Sequence, residues 1–213
     1  MIKHHSQNQD LLSEDQIVAF SKELIQLFAQ LQTHKVAHRN IKPRNICVVA
    51  PQGQSLEKCL RIANFEMAIK LDPNQQSDVT GLNIEQCSEV YSSPFIRNLM
   101  SNPHFYEDQG GEGCSKIEYN PFKEDVYSLG LSLLQMCLLC EDRELLQMRH
   151  HLRLKINHLP FSTSTKCLIL LMLREDTKHR PDFLQLEGIY KDLLRQKDCE
   201  RLFSDLLEEI VVP

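Results

Sequence analysis

Residues 126–139 read VYSLGLSLLQMCLL, apolar nearly all round. A helix with no polar face has nothing to offer water. This stretch is therefore predicted as a buried central helix, and the rest of the chain must wrap it. Candidates to do so lie on both sides. Ser13 with Gln16 three residues on fits a capping box. Apolar residues follow at Ile17, Phe20, Leu24, Leu27, Phe28 and Leu31 in a helical stripe that fades at Thr33 and His34. Residues 142–154 read as an amphipathic helix. Residues 162–173 read as another, with Ser162 as its cap. A further helix is expected from Pro181 to Leu194, and a last amphipathic one from Cys199 to Val212.

Between these segments the helical period breaks. Pro43 removes a donor and restricts Lys42, so residues 36–46 form a loop. Ile46 to Val49 and Leu60 to Ala63 are short apolar runs either side of Pro51-Gln52-Gly53, which predicts a small hairpin. Residues 70–91 and 102–120 read as long polar loops. The fold class that follows is mainly α, with one or two short β-hairpins. The expected division is a loose polar N-terminus over 1–10, a helical domain over 11–194 and a C-terminal helix extension over 195–213. No internal repeat or low-complexity tract is present.

Composition narrows the function. With 42% apolar and 25% charged residues the chain is one globular domain or part of one. A net charge of −5 and a pI of 6.0 argue against a nucleic-acid binder. The absence of tryptophan removes the strongest stacking platform. No apolar run is long enough to cross a bilayer, and MIKHHSQNQD carries no apolar signal region. The eight cysteines are scattered, which points to a reduced compartment, cytoplasmic with nuclear as the alternative. Cys137 and Cys140 have C-x-x-C form but lie within the buried helix pattern, so a core role is expected rather than a metal or redox one. His150 and His151 are expected in solvent, as is the Glu208-Glu209 pair.

Five motifs occur in order along this framework. VAHRNIKPRNI at 36–46 resembles the catalytic loop of protein kinases, H-R-D-x-K-P-x-N. Eighteen residues beyond Ile46, Asn64-Phe65-Glu66 stands where that family has D-F-G. Ser93-Pro94-Phe95 stands at A-P-E. Residues 124–130, EDVYSLG, resemble D-V-W-S-x-G, and His179-Arg180-Pro181 resembles the H-R-P that precedes the last family helix. The resemblance runs from about Leu11 to Leu194 and covers the helical C-terminal lobe. The chain contains no G-x-G-x-x-G-x-V and no strand lysine of the V-A-I-K kind, so the sheet lobe of the family is not expected in it.

The resemblance assigns roles residue by residue. The catalytic-loop aspartate that accepts the substrate proton is Asn40 here, and an amide has no useful basicity. General-base help is typically 10²–10⁴-fold, so about that much is at stake. The D-F-G aspartate that holds magnesium is Asn64, a poorer ligand for a hard cation. Lys42 and Asn45 keep the phosphate-facing lysine and the second metal position. They are expected to serve as inherited packing and surface residues. His38, Arg39, Phe65, Asp125 and Arg180 keep the scaffold of the site. In the family, Asp125 anchors the catalytic loop, and Arg39 can meet a phosphate on the following segment, where Ser77, Thr80 and Ser88 lie. The glutamate that pairs with Arg180 in the family is Phe95 here, so Arg180 is expected to lack that partner or to use another, such as Glu89 or Asp182.

The resemblance implies a catalytically inactive kinase-like domain, a pseudokinase, acting as a protein-interaction or scaffold module. Neither ATP, magnesium nor another cofactor or metal is expected. The implied partner is a protein, a kinase or a kinase substrate, and neither nucleic acid nor membrane. It would meet the surface that faces the sheet lobe in the family, around Ile46, Val48 and Phe65, where exposed apolar side chains are predicted. The alternative is a divergent or fragmentary Ser/Thr-type kinase whose sheet lobe lies outside this chain. An unrelated helical protein is the remaining option.

Overall fold

A computed structural model describes residues 12–49, 59–74, 80–81, 87–101, 118–195 and 199–208. The first ten residues, the turn at Pro51-Gln52-Gly53, Ser77, residues 102–117 and the last five lie outside them.

Helix α1 (Glu14–Thr33) starts as its capping box requires: Ser13 accepts from Gln16 N–H and the Gln16 side chain accepts from Ser13 N–H. Strand β1 (Val36–Ala37) follows. A 3-10 turn at Pro43–Asn45 leads into β2 (Ile46–Val49), which pairs antiparallel with β3 (Cys59–Ile62) in the hairpin expected from sequence. Strand β4 (Ile69–Lys70) pairs back with β1, and β5 (Thr80–Gly81) pairs with β6 (Glu118–Tyr119). These two non-local ladders interrupt segments read as plain loops. Two-residue strands are too short to show a period of two.

Helix α2 (Pro94–Ser101) also went unread, although proline suits a first helical position. The central helix α3 (Pro121–Leu138) begins five residues before its apolar run, with Asn120 accepting from Phe122 and Lys123 N–H. The amphipathic stretch over 142–154 is not one helix. It breaks into α4 (Asp142–Gln147), a 3-10 turn (Arg149–His151) and α5 (Leu152–Asn157). Helix α6 (Thr163–Met172) takes Ser162 as its cap, α7 (Phe183–Arg195) starts two residues after Pro181, and α8 (Glu200–Glu208) follows.

The protein is mainly helical, and α3 is buried on every side: Val126, Leu129, Leu131, Leu133 and Leu134 have no measurable exposure. Helices α1 and α7 pack together, α6 packs on α3, and α8 packs on α6. Cys199 and Leu206 enter the same apolar core as α1, so the last helix shares the core of the rest. Cys137 and Cys140 are buried in it too, and His150 and His151 are exposed. Among the described residues no helix is long and apolar enough to cross a membrane.

Gly130 marks the closest approach of α3 and α6. A Cβ there would lie 2.8 Å from Met172 Cβ and 3.0 Å from Leu173 Cδ2. Gly130→Ala gains about 1 kcal/mol of helix propensity but must force two helices apart, which typically costs about 1–3 kcal/mol. The variant is expected to melt below the parent, and Gly130→Val lower still, in thermal unfolding followed by circular dichroism. An unchanged or raised Tm for both would show that the junction is loose.

Candidate functional site

The site is organised by one carboxylate. Asp125 sits in the second turn of α3, 2% exposed. Its Oδ2 accepts from His38 N–H and its Oδ1 from Arg39 N–H, both at 2.7 Å. One side chain thus fixes two successive peptide groups of a loop some 86 residues away. The loop needs this support, because Arg39 has φ of 63°, the left-handed region that a long side chain rarely occupies. Burial pushes the Asp125 carboxyl up to about 7, against the downward pull of the two N–H donors and of Arg39.

His38 is held in a single tautomer. Asn40 N–H donates to its Nδ1 (3.2 Å), and its Nε2 lies 3.1 Å from the Ala63 carbonyl. A lone pair is needed at the first contact and a hydrogen at the second, so the ring is neutral with Nε2 protonated. Burial, opposed by the Ala63 carbonyl, lowers its pKa from the usual histidine value. The ring lies edge-on to Phe65 (4.8 Å) and to Phe28 (6.0 Å), and Phe28 stacks on Phe183 (5.0 Å). Four rings therefore run from the core to the surface, where Phe65 is 44% exposed. Sequence reading supplied His38 and Phe65. It left Phe28 as one more residue of the α1 stripe and gave Phe183 no role.

The remaining expected residues divide in two. Asn45 is buried and donates from Nδ2 to the Asn40 carbonyl at 2.7 Å, while its own carbonyl accepts from Ala63 N–H. Its amide nitrogen holds the loop rather than a ligand. Asn40 and Lys42 are half-buried, and Asn40 lines a cleft of about 40 Å³ with Arg39, Ser88, Tyr91 and Tyr119. Asn64 is exposed with φ of 65°, a conformation asparagine accepts more readily than most residues. Asparagine therefore meets the backbone demand at 64 while carrying no charge. Among the described residues no three histidine, cysteine or acidic side chains converge as a metal site would need.

Arg180 corrects an expectation. Its side chain is fully buried, and its partner is neither Glu89 nor Asp182. Nη1 donates to Glu124 Oε1 at 2.8 Å and to the Lys123 carbonyl, Nε donates to the Arg174 carbonyl, and Nη2 to the Glu175 carbonyl. The guanidinium also lies 4.7 Å from the Tyr127 ring centre. Asp182 is engaged with Gln185 in a reciprocal cap of α7, and Glu89 is exposed. Glu124 is adjacent to Asp125 and one turn into α3, so it approaches Arg180 without distortion. Sequence reading passed over it because only Asp125 carried a motif role.

The segment before α2 has its own anchor, which sequence reading missed. The Tyr91 hydroxyl lies 2.5 Å from Gln135 Oε1 and 2.9 Å from Asp142 Oδ1. Gln135 Nε2 donates to Asp142 Oδ1 and to the Cys140 carbonyl, and Ser128 Oγ donates to the Tyr91 carbonyl. Burial first, and the Asp142 carboxylate second, push the Tyr91 pKa well above the phenolic range. Phe95, which stands at the family's glutamate position, is 39% exposed on α2.

Chemically, the arrangement is a loop held by hydrogen bonds to Asp125 and from Asn45, with neutral amides at 40 and 64. Among known proteins, the chain is 38% identical over 58 residues to the serine/threonine-protein kinase/endoribonuclease ireA of Aspergillus fumigatus. That stretch covers 26% of this chain and 5% of the fungal protein. No family model matches the chain. The similarity supports a relationship to protein kinases and no finer assignment.

Two outcomes follow for stability. Removing the partner of a buried charge costs about 3–5 kcal/mol. Glu124→Ala should therefore destabilise by that order in urea unfolding, and a loss under about 1 kcal/mol would mean that Arg180 is satisfied by its three carbonyls. For Asp125, the folded pKa lies above the ordinary 3.8. The folded state then keeps a proton that the unfolded chain releases, so this contribution is full below about pH 4 and is lost as pH rises through about 7. The limiting slope is about 1.4 kcal/mol per pH unit. The stability gap between the parent and Asp125→Asn should narrow from pH 4 to pH 7. A widening gap would place the folded pKa below 3.8.

Proposed function

We propose that this chain is a kinase-like helical lobe that does not transfer phosphate and that acts by holding a protein partner. The observation that carries the reading is the pairing of an intact frame with absent charges. Asp125, His38 and Asn45 tie the loop as a phosphoryl-transfer loop would need. The positions that require carboxylates hold Asn40 and Asn64. Phosphoryl transfer is almost wholly positioning and charge stabilisation, and here positioning persists without the charge. The partner is a kinase or a kinase substrate, and it meets the apolar surface at Val48, Val49 and Phe65, which are 37%, 45% and 44% exposed. Exposed apolar side chains in number mark contact sites. No disulfide joins the cysteines whose side chains the structure describes, which fits a reducing compartment such as the cytoplasm.

A second reading has two observations in its favour: Lys42 is retained, and a stretch of 58 residues is similar to a protein kinase/endoribonuclease. On that reading a sheet lobe outside this chain would complete an active site.

A thermal-shift titration with ATP and magnesium separates the two. Ligand at 100 times its dissociation constant would stabilise the fold by about 2.7 kcal/mol. The proposal expects no shift at millimolar ATP and no transfer of labelled phosphate to a generic protein substrate. Stabilisation by ATP with magnesium, together with transfer that disappears in Lys42→Ala, would establish the kinase reading instead.

A further inference from the structure

The two edges of the β2–β3 hairpin are finished differently. Ala63 N–H donates to the Asn45 carbonyl at 2.9 Å, so residues 45 and 63 form a hydrogen-bonded pair. The register Ile46↔Ile62 to Val49↔Cys59 then makes Ile46/Ile62 and Val48/Leu60 the non-hydrogen-bonded pairs, whose N–H and C=O groups point away from the hairpin. On β3 those of Leu60 are occupied. Leu60 N–H donates to Glu23 Oε1 at 2.6 Å, and Arg61 Nη1 donates to the Leu60 carbonyl at 3.0 Å. On β2, Ile46 N–H donates to the Pro43 carbonyl. The outward N–H and C=O of Val48 take no hydrogen bond among the described residues.

Strand β2 also lacks the usual protection. Its residues are Ile-Cys-Val-Val, with no charge and no proline, and the register runs one to one without a bulge. Exposed edges are ordinarily blunted by such devices or covered. From Cys47 to Val49 the strand is exposed whichever face a side chain takes.

We propose that the β2 edge accepts an extended, uncharged strand from a partner protein through main-chain hydrogen bonds to Val48. The occupant follows from the groups on offer. A donor and an acceptor on one residue, set at strand geometry beside an apolar run, are matched by another strand and not by a helix, whose main chain is internally bonded. A second copy is the poorer fit. Symmetric β2–β2 pairing would rest on four residues from each chain, far short of the roughly 1,000 Å² of a stable interface. A partner's segment can run past the strand ends. This inference rests on the interaction-module reading and supplies the mode of contact.

The test uses the whole chain and a fluorescein-labelled TVTVTV peptide, followed by anisotropy and sedimentation. Saturable binding below about 1 mM is expected, a weak-interaction range. Val48→Pro removes the outward N–H while leaving the ladder bonds in place, and should weaken binding at least tenfold with its circular dichroism spectrum unchanged. A peptide N-methylated at every residue, so that neither of its edges can donate, should fail on the parent chain, which keeps the test valid if the proline variant unfolds. Equal binding of the methylated peptide, or of a folded Val48→Pro, would overturn strand addition in favour of plain apolar contact. No binding, or a dimer abolished by Val48→Pro, would overturn it as well. Neither result bears on ATP binding: a failed peptide with no ATP response leaves the interaction module standing without this edge.

Discussion

One buried carboxylate sets the terms for the rest of the molecule. Asp125 arrives on a helix that cannot be anywhere but the centre, since its side chains are apolar nearly all round. From there it holds the His38 and Arg39 peptide groups. A buried charge accepted by only two N–H groups is costly unless the surroundings are rigid. The four-ring column and the Asn45 bond to the loop provide that rigidity from either side. Remove the fork and the left-handed Arg39 has no reason to persist.

What was legible in the sequence was what depends on long periodicities or on one-residue signals. The central helix, the capped starts at Ser13 and Ser162, and the β2–β3 hairpin belong to this group. His38, Phe65 and Asp125 were singled out by the family resemblance, and the structure brings them together at one loop. Illegible features depended on partners chosen in space. Glu124 meets Arg180 because the turn of α3 puts it there, and no spacing marks it. Tyr91, Gln135 and Asp142 converge from three segments. The two-residue ladders of β1 with β4 and β5 with β6 are too brief for any pattern. The stretch over 142–154 kept its amphipathic stripe across a 3-10 turn, so the break was invisible to hydrophobic period alone.

The site shows how chemistry and architecture separate. Asn40 and Asn64 carry a neutral amide where an aspartate would carry a carboxylate of nearly the same shape. Asn64 keeps the left-handed backbone, and the main chain of Asn40 still accepts from Asn45 and donates to His38. The groups that define the loop's form are main-chain atoms and buried side chains. The side chains of Asn40 and Asn64 are partly or wholly exposed and neutral.

The pairing of Arg180 with Glu124 has a consequence for how motion is distributed. A guanidinium bound to the mobile-segment side of a lobe links the order of that segment to the integrity of the core. Here both members of the ion pair lie inside the core, while the segment around Tyr91 is moored separately to α3 and α4. Ordering of that segment is thus coupled to the core through Tyr91 and α3 rather than through the guanidinium. A change in the stretch carrying Ser88 would therefore reach the helical body through Tyr91 before it reached the ion pair of Arg180 and Glu124.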